Sequence, residues 1–170
     1  HCDSEYIPYG ASVFGQSNAS VLNQYNLRPY AYDMLIARLE PENSIEMILD
    51  GVASSEVHRP FVVIGNNKTA FGQYLVNKFK TCEKIKFAGS IYDMEIVNNL
   101  RFFSNLYFHG HTVGGTNPSL LEAMASDALL AAHKNEFNAS ILGNDAYFFS
   151  NADDVRKIVS EVTKDDAARN

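Results

Sequence analysis

Six short apolar runs, each followed by a segment with helical spacing, constrain this chain more than any other feature. The runs span 32–38, 61–64, 84–88, 105–108, 128–132 and 146–149. Phe61-Val-Val-Ile64 is apolar at every position, the pattern of a strand buried on both faces, and Gly65 ends it. Between the runs the period changes. Pro41-Glu42 opens a helix with Ile45, Ile48, Leu49 and Val52 on one face, and its acidic first turn suits the helix dipole. Phe71, Leu75 and Phe79 recur at four-residue intervals, and 93–103 turns Ile96, Val97 and Leu100 inward. Further helices are expected over 119–126, 136–142 and 152–163, the last capped by Asn151. This alternation predicts an α/β fold: a doubly wound, Rossmann-like parallel sheet of about six strands with helices on both faces. That unit would occupy 28–164, with 1–27 a lead-in and interdomain linker and 165–170 a polar tail. Its length fits one core.

Right-handed crossovers bring the C-terminal ends of all the strands to one edge, where ligands bind. One loop on that edge carries several polar residues: His109-Gly-His-Thr-Val-Gly-Gly-Thr-Asn-Pro-Ser-Leu-Leu-Glu-Ala-Met124. An apolar strand breaks at His109 into a loop with Gly114 and Gly115, and a helix starts at Pro118 or Ser119. Unpaired N–H groups and the positive end of a helix dipole there form an anion seat. Thr116 and Asn117 add polar groups, and Glu122 lies about one turn inside the helix. A carboxylate so placed accepts hydrogen bonds from a ribose; a dipole-stabilising Glu is the simpler alternative. Arg38 ends the first strand on the same edge, where a guanidinium can grip phosphate in bidentate fashion. Its alternative is a surface salt bridge to Glu40 or Glu42. His109 and His111 stand two apart at a strand end, suited to hydrogen-bonding a substrate or to packing. His133 has the same ambiguity.

Several classes are disfavoured. The net charge of −6 argues against nucleic acid as the main partner. The loop lacks the Lys of a phosphate-binding GxxxxGK[ST] loop, and no GxGxxG follows the first strand. Ser119 lacks the elbow of a hydrolase nucleophile. No further ligand at convincing spacing joins the histidines, so no metal is expected. Two cysteines, Cys2 and Cys82, form no disulfide framework, and no apolar run approaches a membrane span. A cytoplasmic setting follows, and the opening on His1 is expected of a piece of a longer protein.

Taken together, the loop, Glu122 and Arg38 resemble the C-terminal, donor-binding domain of GT-B retaining glycosyltransferases of family 4 (glycosyl transferases group 1). The likeness is greatest to bacterial rhamnosyltransferase-like proteins. Tyr6-Ile-Pro-Tyr-Gly10 resembles the segment linking the two domains of that fold, and Leu35-Ile-Ala-Arg-Leu-Glu-Pro-Glu-Asn43 its first-strand motif. Phe61–Gly65 and Ile85–Gly89 match its second and third strands, and Pro118-Ser-Leu-Leu-Glu-Ala-Met124 its signature helix start. The resemblance implies that Arg38 contacts the diphosphate of a dTDP- or UDP-linked sugar. It places Ser90 and Ile91 against the base, Gly114 to Asn117 at the phosphates and sugar, and Glu122 at the ribose. Two departures stand out. The family carries a Glu eight residues before the ribose Glu, and here that position is Gly114; a Lys that usually follows the Arg is replaced by Asn43 and Ser44. Diphosphate neutralisation is then expected to draw on His109 or His111.

The resemblance further implies a hexosyltransferase of bacterial polysaccharide or glycolipid synthesis, with no cofactor and no metal. Rhamnose is the expected sugar. The acceptor, a glycan or lipid-linked glycan, would belong to a missing N-terminal domain, which would also bring the protein to the inner face of the membrane. The fragment alone is expected to be inactive. Two other readings stay open: a non-catalytic nucleotide-binding or interaction domain, and a nucleotide-sugar epimerase or dehydrogenase.

Overall fold

A computed structural model describes residues 9–113 and 117–164. Six strands form one sheet: β1 (Asp33–Ile36), β2 (Phe61–Ile64), β3 (Ile85–Gly89), β4 (Leu106–His109), β5 (Leu130–His133) and β6 (Tyr147–Phe149). Their order is β3-β2-β1-β4-β5-β6, and every pairing is parallel. The expected α/β doubly wound sheet is therefore the one observed. Between the strands run α1 (Ile45–Ser54), α2 (Ala70–Lys78), α3 (Met94–Phe102), α4 (Pro118–Ala125) and α5 (Glu136–Leu142), and α6 (Ala152–Glu161) follows β6.

Alternation along the central strands divides the core. Leu35, Val63 and Phe108 face one side, where Ile48, Leu49 and Val52 of α1 and Val155, Ile158 and Val159 of α6 cover them. Met34, Val62 and Tyr107 face the other, beneath Leu100 of α3 and Leu120 and Ala123 of α4. A 3₁₀ turn at Ala19–Tyr25 joins this second face, where Leu22 and Leu27 are fully buried. The stretch expected as lead-in thus contributes to the core. Gly51 lets α1 and α6 meet: a Cβ there would lie 2.5 Å from the Ala152 carbonyl oxygen.

One helix starts later than its sequence suggests. Pro41–Asn43 form a 3₁₀ turn, Ser44 takes a left-handed conformation with φ of 49°, and α1 begins at Ile45. The cause is Asn43, whose buried side chain bonds the Arg38 carbonyl and His111 instead of facing solvent. Asn151 caps α6 as expected, accepting from the Asp154 amide.

The strand order reverses between β1 and β4. Chain leaving β1 goes one way and chain leaving β4 the other, which opens a crevice at their C-terminal ends.

Candidate functional site

A cavity of about 270 Å³ fills that crevice. Ile36, Ala37 and Arg38 line it from the end of β1, and His109, Gly110 and His111 from the end of β4. Asn43, Asn117 and Ser119 complete the wall. Three of the residues singled out in the sequence, Arg38, His109 and His111, therefore meet at the switch point, with Asn117 beside them.

The two loops are locked together. The Thr112 amide and hydroxyl both donate to the Glu42 carbonyl, at 3.2 and 2.7 Å. Asn135 and Asn138 donate side-chain N–H groups to the His111 carbonyl, at 3.0 and 3.2 Å. Gly110 makes the approach possible: a Cβ on it would sit 2.1 Å from the Asn43 carbonyl oxygen. A backbone atom cannot yield like a flexible side chain, so only glycine fits.

These contacts set the chemistry of His111. Asn43 Nδ2 donates to the Arg38 carbonyl at 2.8 Å, which turns Asn43 Oδ1 toward His111 Nδ1, 2.6 Å away. A carbonyl oxygen only accepts, so His111 carries a proton on Nδ1. Its Nε2 remains to accept from a ligand or, when protonated, to donate to one.

His109 behaves differently. It is 4% exposed, and burial, with a smaller push from His111, lowers its pKa to about 4. It is neutral at pH 7. Its Nε2 is buried and has no hydrogen-bond partner among the described residues. The residue lines the cavity, but this nitrogen itself is shielded from it. The rings of His109 and His111 lie 6.1 Å apart. His133 lines neither this cavity nor the recess described below; burial lowers its pKa as well, and its ring meets Phe149 edge-on.

Arg38 is the exposed charge of the cavity. Its side chain is 77% exposed and approaches Glu42 only at 3.9 Å, a loose pair that phosphate can displace.

The start of α4 departs from the expected anion seat. Pro118 has no N–H. The Ser119 amide donates to Asn117 Oδ1 at 2.9 Å, and the Leu120 and Leu121 amides donate to the Asn117 carbonyl. The first-turn donors are thus taken by Asn117, and the field of the helix end is what reaches the cavity from these residues. The Ser119 hydroxyl pairs with Tyr107 Oη at 3.0 Å. Gly114, Gly115 and Thr116 lie outside the described residues.

Glu122 does not line the cavity of Arg38 and the histidines. It opens into a second recess of about 340 Å³, with Asn98 and Met94 of α3 and Gly10, Ala11 and Ser12 of the lead-in. Arg101 NH2 holds Glu122 Oε2 at 2.8 Å. Ser90 is exposed and Ile91 packs against the second core face. Neither lines either recess. The expected single site is thus divided: a cationic and imidazole-lined cavity at the switch point, and a carboxylate recess further along α4.

Among the described residues no group of three His, Cys, Asp or Glu side chains is placed to hold a metal ion. No helix among them is long and apolar enough to cross a membrane.

No family model matches the chain, and no curated protein sequence does. Solved structures match its fold. Anabaena HepE in complex with UDP-glucose superposes with a TM-score of 0.72 at 14% identity, covering 84% of this chain and 41% of that one. The C-terminal domain of a glycosyl transferase group 1 protein, LpcC of Francisella tularensis, gives 0.69 at 18% identity, covering 86% and 84%. Sucrose-phosphate synthase from Thermosynechococcus elongatus gives 0.69 at 15% identity, covering 91% and 43%. The chain thus spans about two fifths of HepE and of the synthase, and nearly all of the isolated LpcC domain. Its architecture is that of the C-terminal domain of GT-B glycosyltransferases.

Proposed function

We propose that this chain binds the nucleotide of an activated sugar along the C-terminal edge of its sheet and is the donor half of a glycosyltransferase. One observation carries the reading. Arg38, His109 and His111 converge on one cavity at the sheet's switch point, where Asn117 and Ser119 of the α4 start also stand, while Glu122, one turn further along α4, offers a carboxylate in a separate recess. A diphosphate suits the first recess and a ribose the second. HepE, with a similar fold, was solved with UDP-glucose, which supports a nucleotide sugar as the class of ligand.

In this reading Arg38 swings from Glu42 onto a phosphate oxygen. His111 supplies the second donor as the imidazolium, in which Nδ1–H donates to Asn43 and Nε2–H faces the phosphate. That arrangement accounts for Asn43 standing where the resembled family has Lys. Neutral His109 lines the cavity without adding charge, and its ring would have to turn for Nε2 to reach a sugar hydroxyl. Gly114 in place of the family's sugar-contacting Glu points to a donor sugar read by other groups; rhamnose on a dTDP or UDP carrier is the proposed donor. Transfer would proceed with retention, without a metal or cofactor, onto a bacterial glycan or lipid-linked acceptor held by another domain. The nucleoside would run past Glu122 toward Ser90 and Ile91.

The test is calorimetric titration with UDP, dTDP, UDP-glucose and NAD. Binding of a nucleoside diphosphate or its sugar, weakened by Arg38→Ala and by Glu122→Gln, supports the proposal. Binding of NAD alone would support an epimerase or dehydrogenase instead. Binding of no nucleotide would favour a non-catalytic interaction domain, a reading that Gly114 and Asn43 keep in view. Transfer by residues 1–170 without another domain would overturn the donor-half assignment.

A further inference from the structure

Arg101 is the largest fully buried side chain among the described residues, and it lines neither the cavity nor the recess. It sits in the last turn of α3, and its guanidinium is wedged beneath Glu122. NH2 donates to Glu122 Oε2 at 2.8 Å, and NH1 donates to Asn98 Oδ1 at 3.1 Å. The plane lies near the Tyr107 ring, 5.8 Å from its centroid. Nε has no partner among the described residues. A second tie comes from the Ser126 hydroxyl, which reaches both Asn98 Oδ1 and the Glu122 carbonyl.

The burial of the pair is lopsided. The Arg101 side chain is 2% exposed and that of Glu122 is 36% exposed. Guanidinium keeps its charge at any pH a protein survives, so Arg101 is a permanent buried cation facing one half-open carboxylate. One oxygen of Glu122 is occupied from below. Oε1 makes no further hydrogen bond among the described residues, and Glu122 lines the recess with Asn98, Met94 and Gly10 to Ser12.

We propose that Arg101 is a positioning residue for nucleoside recognition: it holds Glu122 in one rotamer, with Oε1 left to accept from the ribose hydroxyls of a nucleoside diphosphate. This rests on the nucleotide-binding reading of the preceding subsection. Asn98 holds Arg101 in turn, so three side chains from two helices act as one acceptor.

The test compares UDP with 2′,3′-dideoxy-UDP by calorimetry on the wild type, Arg101→Met, Arg101→Lys and Glu122→Gln. The wild type is expected to prefer UDP by about tenfold, the worth of a charge-assisted hydrogen bond. In Arg101→Met that preference should collapse to within about twofold while dideoxy-UDP affinity stays put. Adding Glu122→Gln to Arg101→Met should cost little more, since both act through one contact. A purely structural Arg101 would weaken both ligands alike and keep the preference, and that result overturns the positioning role while sparing the proposed function. No UDP binding by the wild type overturns both. Should Arg101→Met fail to fold, Arg101→Lys decides: a reduced preference supports the role, a full preference overturns it.

Discussion

Two buried arginine–carboxylate pairs sit at different places in this molecule, and they are built in opposite senses. At the start of β1, Asp33 is the buried member. Arg59 Nε and NH2 grip its Oδ2 at 2.9 and 2.8 Å, and Asn105 donates to Oδ1 at 2.8 Å. Arg59 goes on to the Val159 carbonyl, and the Lys164 amide closes on Asn105. Both carboxylate oxygens are used, and burial pushes the Asp33 carboxyl up against the opposing pull of Arg59 and Asn105. On α3 and α4 the arginine is buried and the carboxylate is half open. One oxygen of Glu122 is engaged and one is not. A closed pair ties strands to a helix. An open pair holds an acceptor at the edge of a recess. The first is architecture at the N-terminal edge of the sheet; the second belongs to the proposed site.

Breaking the closed pair should have the largest effect. Asp33→Ala leaves Arg59 facing an apolar gap and should lower unfolding free energy by about 3–5 kcal/mol in urea titrations, with nucleotide affinity of the folded fraction unchanged. An equal loss of affinity would mean that the two ends of the sheet are not separable.

Acid separates the two regions next. The folded pKa of His109 is about 4, below its ordinary value. As pH falls below roughly 6.5 the unfolded chain takes up a proton that the folded protein refuses. Stability is therefore intact above that pH and is lost between roughly 6.5 and 4, by on the order of 3 kcal/mol. Unfolding curves of wild type and His109→Leu across that window give the contribution by difference. Parallel pH profiles would remove His109 as the cause.

Gly110→Ala tests whether the loops after β1 and β4 are one unit. The new methyl meets the Asn43 carbonyl. The cost should be about 1–3 kcal/mol in stability. Nucleotide affinity should fall with it, because Arg38 and His111 flank the displaced atoms. A stable variant with wild-type affinity would show that the crevice is not held by this contact.

Arg38→Ala should do least to the fold, within about 0.5 kcal/mol, because the side chain is exposed and only loosely paired. Affinity for UDP should still drop by about threefold to tenfold, and more at low salt. Unchanged affinity would leave Arg38 as a surface residue.

The fold was legible because the two periods are clean. Phe61–Ile64 is a strand with the bounds its apolar run suggests, and the helical stripes of α1 and α3 face the core as spaced. Arg38, His109 and His111 could be grouped because parallel topology puts all strand ends on one edge. What was not legible depends on side chains that reach across the chain. Asn43 read as a missing lysine, yet it delays α1 and orients His111. Nothing in its neighbours in sequence marks a contact 68 residues away. Arg101 was not singled out in the sequence at all. Its position four residues after buried Val97 was the available signal that it faces inward. The first turn of α4 read as a set of free donors, and the Asn117-Pro118 pair that consumes them was in plain view. The division of the site into two recesses needed coordinates, since Ser119 and Glu122 are only three residues apart.

In the proposed function Glu122 and the Arg38–His111 cavity hold one nucleoside diphosphate. Calorimetric titration of UDP and dTDP into wild type and Glu122→Gln addresses it most directly. One site per chain is expected, with about tenfold weaker binding in the folded variant. Wild-type binding that survives Glu122→Gln undiminished, or no binding of either nucleotide, would contradict it.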